Sequence, residues 1–165
     1  MIFETERLLI RKLNLDDLNA FYELESNPKV LKYATGEVKS LLESKEELVD
    51  LIAKYDKPNN DFWIYAIELK LNKKFVGTLA LVKDGKDDEI GYRFLERYWR
   101  QGFAKEICKN LILYCKQQKM TKIIGYVVDE NIASGKILER FNFKPVKKFI
   151  SKDINLPETK YELIL

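Results

Sequence analysis

EIGYRFLERYWRQGFAKEICKNLILYCKQQ, residues Glu89–Gln118, switches its apolar period partway along, from that of a strand to that of a helix. Ile90, Tyr92 and Phe94 recur at a period of two, the mark of a half-buried strand. From Phe103 the period changes to that of a helix: Phe103, Ala104, Ile107, Cys108, Leu111, Ile112 and Cys115 form one apolar stripe. Between them lies Arg97-Tyr98-Trp99-Arg100-Gln101-Gly102, with Arg97, Arg100 and Lys105 around the helix start and only Glu106 opposing them. A helix N-terminus carries partial positive charge and favours acidic side chains. Cations gathered there fit a bound anion, which the free N–H groups of a helix start and a glycine can receive at close range. A solvated basic turn before a core helix fits the same residues.

Outward from this stretch, the chain has 165 residues, the size of one domain, read here as a single unit over 1–165. It carries 29 basic and 26 acidic residues, net +3, too mild a balance to indicate nucleic acid. No apolar run approaches a membrane span and the N-terminus lacks a signal-peptide pattern, so a cytoplasmic protein without a membrane partner is expected. Histidine is absent, which removes His-based triads, His metal ligands and His bases; no metal is expected. Cys108 and Cys115 sit about 10 Å apart along one helix, too far for a disulfide, and read as core thiols.

In chain order, Thr5–Arg11 reads as a first strand, and Asn14 caps a helix that Pro28 should stop. A second helix is expected from Ser44, with Glu47 completing a capping box. Phe62–Leu69, Lys74–Val82 and the strand from Glu89 follow, the last entered through the hairpin signal Asp84-Gly85. After the long helix come a strand over Thr121–Val128, a short helix over Ser134–Arg140, and strands over Lys144–Ser151 and Thr159–Leu165. The order is β-α-α-β-β-β-α-β-α-β-β. The strand at Glu89, the long helix and the strand at Thr121 make a right-handed βαβ unit with parallel strands. The fold class is α/β with a mixed sheet and helices on both faces.

That order and three patches resemble the GCN5-related N-acetyltransferase (GNAT) superfamily, and within it the branch of ribosomal-protein N-terminal acetyltransferases. The patches are Thr5-Glu6-Arg7-Leu8 with Arg11; Trp99-Arg100-Gln101-Gly102-Phe103-Ala104, similar to the acyl-CoA signature Q/R-x-x-G-x-G/A; and Asn131-x-x-Ser134 followed by Leu138-Glu139-Arg140-Phe141-Asn142-Phe143. Trp99 departs from the signature's first position, and Asn142 stands where a glycine is usual. The resemblance implies a mostly antiparallel sheet with a central, splayed parallel pair. It implies acetyl-CoA as co-substrate, with the pyrophosphate on backbone N–H groups of Arg100, Gln101, Gly102, Phe103 and Ala104. Pantetheine would lie beside Tyr92 and Phe94, with Asn131 and Ser134 at its arm and thioester end. Asn131 also reads as a plain helix cap.

By the same resemblance the reaction is direct attack of a neutral amine on the thioester. Glu89 is the candidate base, with Asp129 and Glu130 behind it, although Glu89 also reads as a solvated hairpin charge. Many members of the superfamily carry a thiolate-protonating Tyr at the position of Leu138. Leucine cannot donate, so Ser134 becomes the candidate donor, unless its hydroxyl serves only the first helical turn. The acceptor stays open between a small amine and a peptide N-terminus. Glu37, Glu43, Glu46 and Glu47 hint at a cationic one, or form a solvated face. The chain is expected as a monomer or homodimer. A non-catalytic acyl-CoA-binding regulatory domain is the alternative; nucleotide-binding glycine motifs and basic–aromatic RNA motifs are absent.

Overall fold

The computed structural model describes residues 1–165. A two-residue strand β1 (Phe3–Glu4) pairs with β2 (Leu8–Lys12), so the expected first strand is two pieces folded at Thr5–Arg7. A single 3-10 turn, Leu15–Asp17, leads into α1 (Leu18–Glu25); Asn14 caps that turn, its side chain accepting from Asp16 N, while α1 itself starts after Asp17 without a side-chain cap. Pro28 does end α1, but it also opens a further short helix, α2 (Pro28–Leu31), from its first position. There the missing proline N–H costs nothing, and Asn27 provides the cap. The long helix α3 (Leu41–Lys54) begins one turn before the expected start: Ser40 and Glu43, not Ser44 and Glu47, form the capping box. Ser44 is buried inside the helix and Glu47 binds Lys39.

The remaining elements are β3 (Phe62–Leu69), β4 (Phe75–Asp84), β5 (Asp87–Phe94), α4 (Phe103–Gln117), β6 (Lys122–Val128), α5 (Ile132–Arg140), β7 (Lys144–Ile150) and β8 (Pro157–Ile164). All strands join one sheet in the order β1-β2-β3-β4-β5-β6-β8-β7. Every neighbouring pair is antiparallel except β5 and β6. The final hairpin docks by its second strand: β8 pairs with β6, and β7 becomes the edge, where Pro145, Lys147 and Lys148 discourage further pairing.

Alternation along β5 sets the layers. Tyr92 and Phe94 face α4, Phe94 lying 6.3 Å from the Phe103 ring, while Arg93 points to the opposite face and meets Glu25 of α1. Helices therefore cover both faces, with α1 and α3 packed together on one and α4 and α5 on the other. The stripe read from sequence is the buried side of α4: Phe103, Ile107, Cys108, Leu111, Ile112 and Cys115. Burying each large apolar side chain contributes about 1.5–3 kcal/mol. Gly77 of β4 lies so close to β5 that a Cβ there would sit 2.0 Å from the Arg93 carbonyl oxygen.

Both cysteines are free and fully buried, and burial pushes each thiol up to about 12. Thiolate is the reactive form, so a chromogenic disulfide reagent should label unfolded protein quickly and native protein only as fast as it opens. Replacing both by serine should cost about 1–3 kcal/mol per buried hydroxyl in a thermal or urea titration. Rapid labelling of the native chain would contradict this placement.

Candidate active site

The two parallel strands meet at one register pair, Glu89 with Ile124. Past it they part. β5 keeps its partner β4 to Phe94, and β6 keeps β8 to Val128, so the facing edges of Ile90–Phe94 and Gly125–Val128 have no strand between them. An unpaired sheet edge offers main-chain donors and acceptors to anything extended that enters the gap. The gap is part of a cavity of about 1590 Å³ that runs from the start of α4, past Glu89, to the β7–β8 hairpin.

At one end of the cavity lies the basic turn. Arg100 and Gly102 both adopt left-handed backbone, φ 58° and 80°, bracketing Gln101. The first helical N–H bond within this stretch comes from Glu106, to the Gly102 carbonyl. The N–H groups from Arg100 to Lys105 have no acceptor in the protein. Successive N–H groups in such a turn form a concave anion site, strengthened by the helix dipole. Trp99, the departure from the signature, holds the turn in place. Its indole N–H donates to the Phe94 carbonyl at 2.8 Å and pins the turn to the strand end.

The charges around this turn differ from the expectation. Arg97 turns away and pairs with Glu23. The Gln101 side chain also points off, donating to the Arg97 carbonyl at 2.9 Å, and unlike Arg100 and Gly102 on either side Gln101 does not line the cavity. Glu106 is bound by the Thr5 hydroxyl, the Arg7 N–H at 2.8 Å and Arg7 Nε at 2.7 Å. Burial alone would raise its pKa, but these hydrogen bonds outweigh burial and hold it below the usual carboxylate range. Arg100 and Lys105 take part in no ion pair. The one acid of the helix start is thus neutralised while two cations stay free. Thr5 and Arg7 belong to the opening patch of the sequence, but nothing there linked them to Glu106, about a hundred residues on.

The middle of the cavity is lined by Glu89, Tyr92, Phe94, Asn131 and Ser134. The Asn131 side chain caps α5, accepting from Ser134 N at 3.3 Å, so its amide NH₂ is left to donate elsewhere. Leu138 is buried against Gly125 and has no polar atom to offer. Ser134 is half-buried and its hydroxyl has no partner in the protein.

Glu89 heads the open part of β5. Burial, with repulsion from Asp84 and Glu158 only partly offset by Lys160, pushes its carboxyl up to about 7. The other candidate bases are occupied: Asp129 accepts from Thr159 at 2.6 Å, and Glu130 pairs with Lys32 at 3.3 Å. Tyr126, Phe149 and Glu158 also line this end, and none of them stood out in the sequence. Strand pairing collects them: Tyr126 faces Lys160, and Phe149 faces Glu158. The acids expected to attract an acceptor lie elsewhere. Glu43 is spent on the Ser40 cap, Glu47 on Lys39, and neither they nor Glu37 and Glu46 line the cavity.

A splayed parallel pair whose first strand runs into an N–H-lined turn makes a groove with an anion-binding end. Similarity to known proteins specifies the family. The acetyltransferase (GNAT) domain model matches residues 7–144. The uncharacterized N-acetyltransferase YoaA of Bacillus subtilis is 31% identical over 151 residues, 87% of this chain and 82% of YoaA. The chain belongs to the GNAT acetyltransferase family. Among solved structures, a GNAT-family acetyltransferase from Bacillus anthracis superposes with a TM-score of 0.84 at 24% identity, covering 98% of this chain and 96% of that one. RimL, a ribosomal α-N-protein acetyltransferase in complex with coenzyme A, superposes at 0.83 with 17% identity, covering 99% and 97%. These two likenesses concern the fold.

Gly102 tests the anion site. A Cβ there would meet only Arg7 Nη2 at 3.6 Å, so the obstacle is the left-handed backbone rather than a clash inside the protein. Gly102→Val should cost at least about 1–2 kcal/mol in stability. It should also weaken CoA binding by distorting the N–H cradle. Calorimetry showing equal CoA affinity for the folded variant would contradict the cradle.

Proposed function

We propose that residues 1–165 form one acyl-CoA N-acyltransferase domain that moves an acetyl group from acetyl-CoA to a primary amine. The run of N–H donors from Arg100 to Lys105, opening onto the cavity that holds Glu89, carries this reading. The pyrophosphate rests on the backbone of Arg100, Gln101, Gly102, Phe103 and Ala104, with Arg100 and Lys105 as free cations beside it. Pantetheine extends along the open edge at Tyr92 and Phe94 and supplies the hydrogen bonds that β6 does not. Asn131 donates its free amide to the arm. The acceptor enters from the side of Tyr126 and Glu158. CoA bound to RimL supports the choice of co-substrate.

The chemistry follows from proton positions. The acceptor arrives as an ammonium ion and must lose a proton before its lone pair can attack. A carboxylate near pH 7 is suited to take that proton, since catalytic groups work best with a pKa close to the working pH. Glu89 accepts it, directly or through one water. The amine nitrogen then attacks the thioester carbon. The tetrahedral intermediate collapses with cleavage of the C–S bond, and the nitrogen loses its second proton to solvent to give the amide. The departing sulfur carries the electron pair as thiolate. Ser134 donates a hydrogen bond to it, and solvent supplies the final proton. The free cysteines take no part, because their protonated form is strongly favoured.

The sign of the pH dependence is fixed. Glu89 acts as base only when ionised, so kcat/KM should rise with pH through about 7. Glu89→Gln should remove that limb and slow turnover about 10²–10⁴-fold. Its folded pKa lies above its unfolded value. Its stabilising contribution is therefore complete below the unfolded pKa and is lost as pH rises through about 7. The same variant should consequently melt higher than wild type at alkaline pH. Ser134→Ala should slow turnover by no more than about 10²–10³-fold. A panel of amines and N-terminal peptides, assayed for CoA release, checks all of this. CoA binding without turnover on any amine would favour the non-catalytic role instead.

A further inference from the structure

One backbone bridge fixes the point at which two half-sheets touch, but not the angle between them. Side chains supply a second contact. Asp87, the first residue of β5, lies two residues before Glu89. Its Oδ1 accepts from Lys122 Nζ at 2.8 Å, and its Oδ2 from Lys160 Nζ at 2.8 Å. Lys122 opens β6 and Lys160 lies in β8; Lys122 also reaches Glu162 of β8 at 3.1 Å. One carboxylate of the β1–β5 half thus holds two ammonium groups of the β6–β8 half. The pairs are partly sheltered, with the Asp87 and Lys160 side chains 17% and 19% exposed.

We propose that Asp87 is a positioning residue: its clasp on Lys122 and Lys160 sets the opening angle of the splayed strands and so the width of the groove that receives the acyl-CoA arm. This rests on the reading of that groove as the acetyl-CoA site. Asp87 and Lys122 lie on the closed side of the Glu89–Ile124 pivot, away from the groove, while Lys160, opposite Tyr126, reaches back to them from the open side, where it also lines the cavity. At ~3.4 Å per residue the clasp is about 7 Å from the pivot and Phe94 about 17 Å, so a slack of ~1 Å at Asp87 becomes roughly 2–3 Å at the far end of the groove. Packing of α4 against the sheet from one side limits the motion. The two lysines hold the Asp87 carboxyl down at about 2, so the clasp stays charged over the working pH range. Tyr126, whose hydroxyl donates to Asp84 Oδ2, spans the same seam on the open side.

The test is CoA binding by calorimetry together with acetyl-CoA kinetics. Asp87→Asn keeps the shape and removes the charge. A groove loosened on this scale should lose roughly tenfold to a hundredfold in CoA affinity, with KM for acetyl-CoA rising more than kcat falls. Lys122→Met and Lys160→Met should each give part of the loss, and Asp87→Glu should recover part of it. Lys70→Met, which breaks the ion pair with Glu4 near the far edge of the sheet, should change nothing. Unchanged CoA affinity in Asp87→Asn, with only its melting temperature lowered, would overturn the inference. If Asp87→Asn does not fold, unchanged affinity in both lysine variants overturns it equally. A wild type that binds no CoA would instead overturn the reading of the groove, and this inference with it.

Discussion

The structure depends on two parallel strands that touch once and then separate. Sheets lower their energy by pairing every edge, and an open edge in the middle of a sheet leaves main-chain groups without partners. Here β5 and β6 accept that cost from Glu89 and Ile124 onward. The connection explains how. A right-handed crossover through α4 must leave β5 at Phe94 and return at Lys122, and its buried stripe anchors both halves of the sheet from one side. The turn that begins the crossover therefore opens beside the gap. Groove and anion cradle are two consequences of one topology.

Charge is distributed so that the cradle remains positive. The acid nearest the start of α4, Glu106, is neutralised by Thr5 and Arg7, and Arg97 is turned outward onto Glu23. Arg11 is held between Asp17 and Glu68 at 2.7 Å from each, locking β2 to the turn before α1. These pairings leave Arg100 and Lys105 as the free cations beside the cradle, while Lys147 and Lys152, also outside the ion pairs, line the hairpin end of the cavity. At the other end the balance is reversed: Asp84, Glu89 and Glu158 crowd together, and Lys160 offsets them only in part. An anion at one end and an ammonium ion at the other suit this polarity, as the proposed reaction requires.

Much of this was legible in the sequence because it is local. The change of period at Phe103 fixes the strand, turn and helix, and Gly102 marks the turn, while the second left-handed position there, Arg100, carries no sequence signal. What escaped depends on contacts between distant segments. Ser44 with Glu47 satisfies the capping pattern as well as Ser40 with Glu43; which pair caps α3 depends on how deeply the helix is buried against β3, and Ser44 lies inside. Pro28 reads as a stop in the sequence, yet proline stops one helix and starts another with the same fixed φ. Arg97 counted as a cation at the cradle because its partner Glu23 is 74 residues away. Tyr126, Glu158 and Asp87 carried no motif. Their place depends on the insertion of β8 between β6 and β7.

The central claim is that the turn at Arg100–Ala104 is a pyrophosphate site at the foot of the splayed strands. Comparing coenzyme A with pantetheine, which shares the arm but lacks the pyrophosphate and the adenosine 3′-phosphate beyond it, tests it most directly, with adenosine 3′-phosphate as the control for the nucleotide's own share. Each charge-assisted hydrogen bond is worth about 1.5–3 kcal/mol, so two or more should make coenzyme A bind at least about a hundredfold more tightly. Pantetheine binding as tightly as coenzyme A would contradict the account.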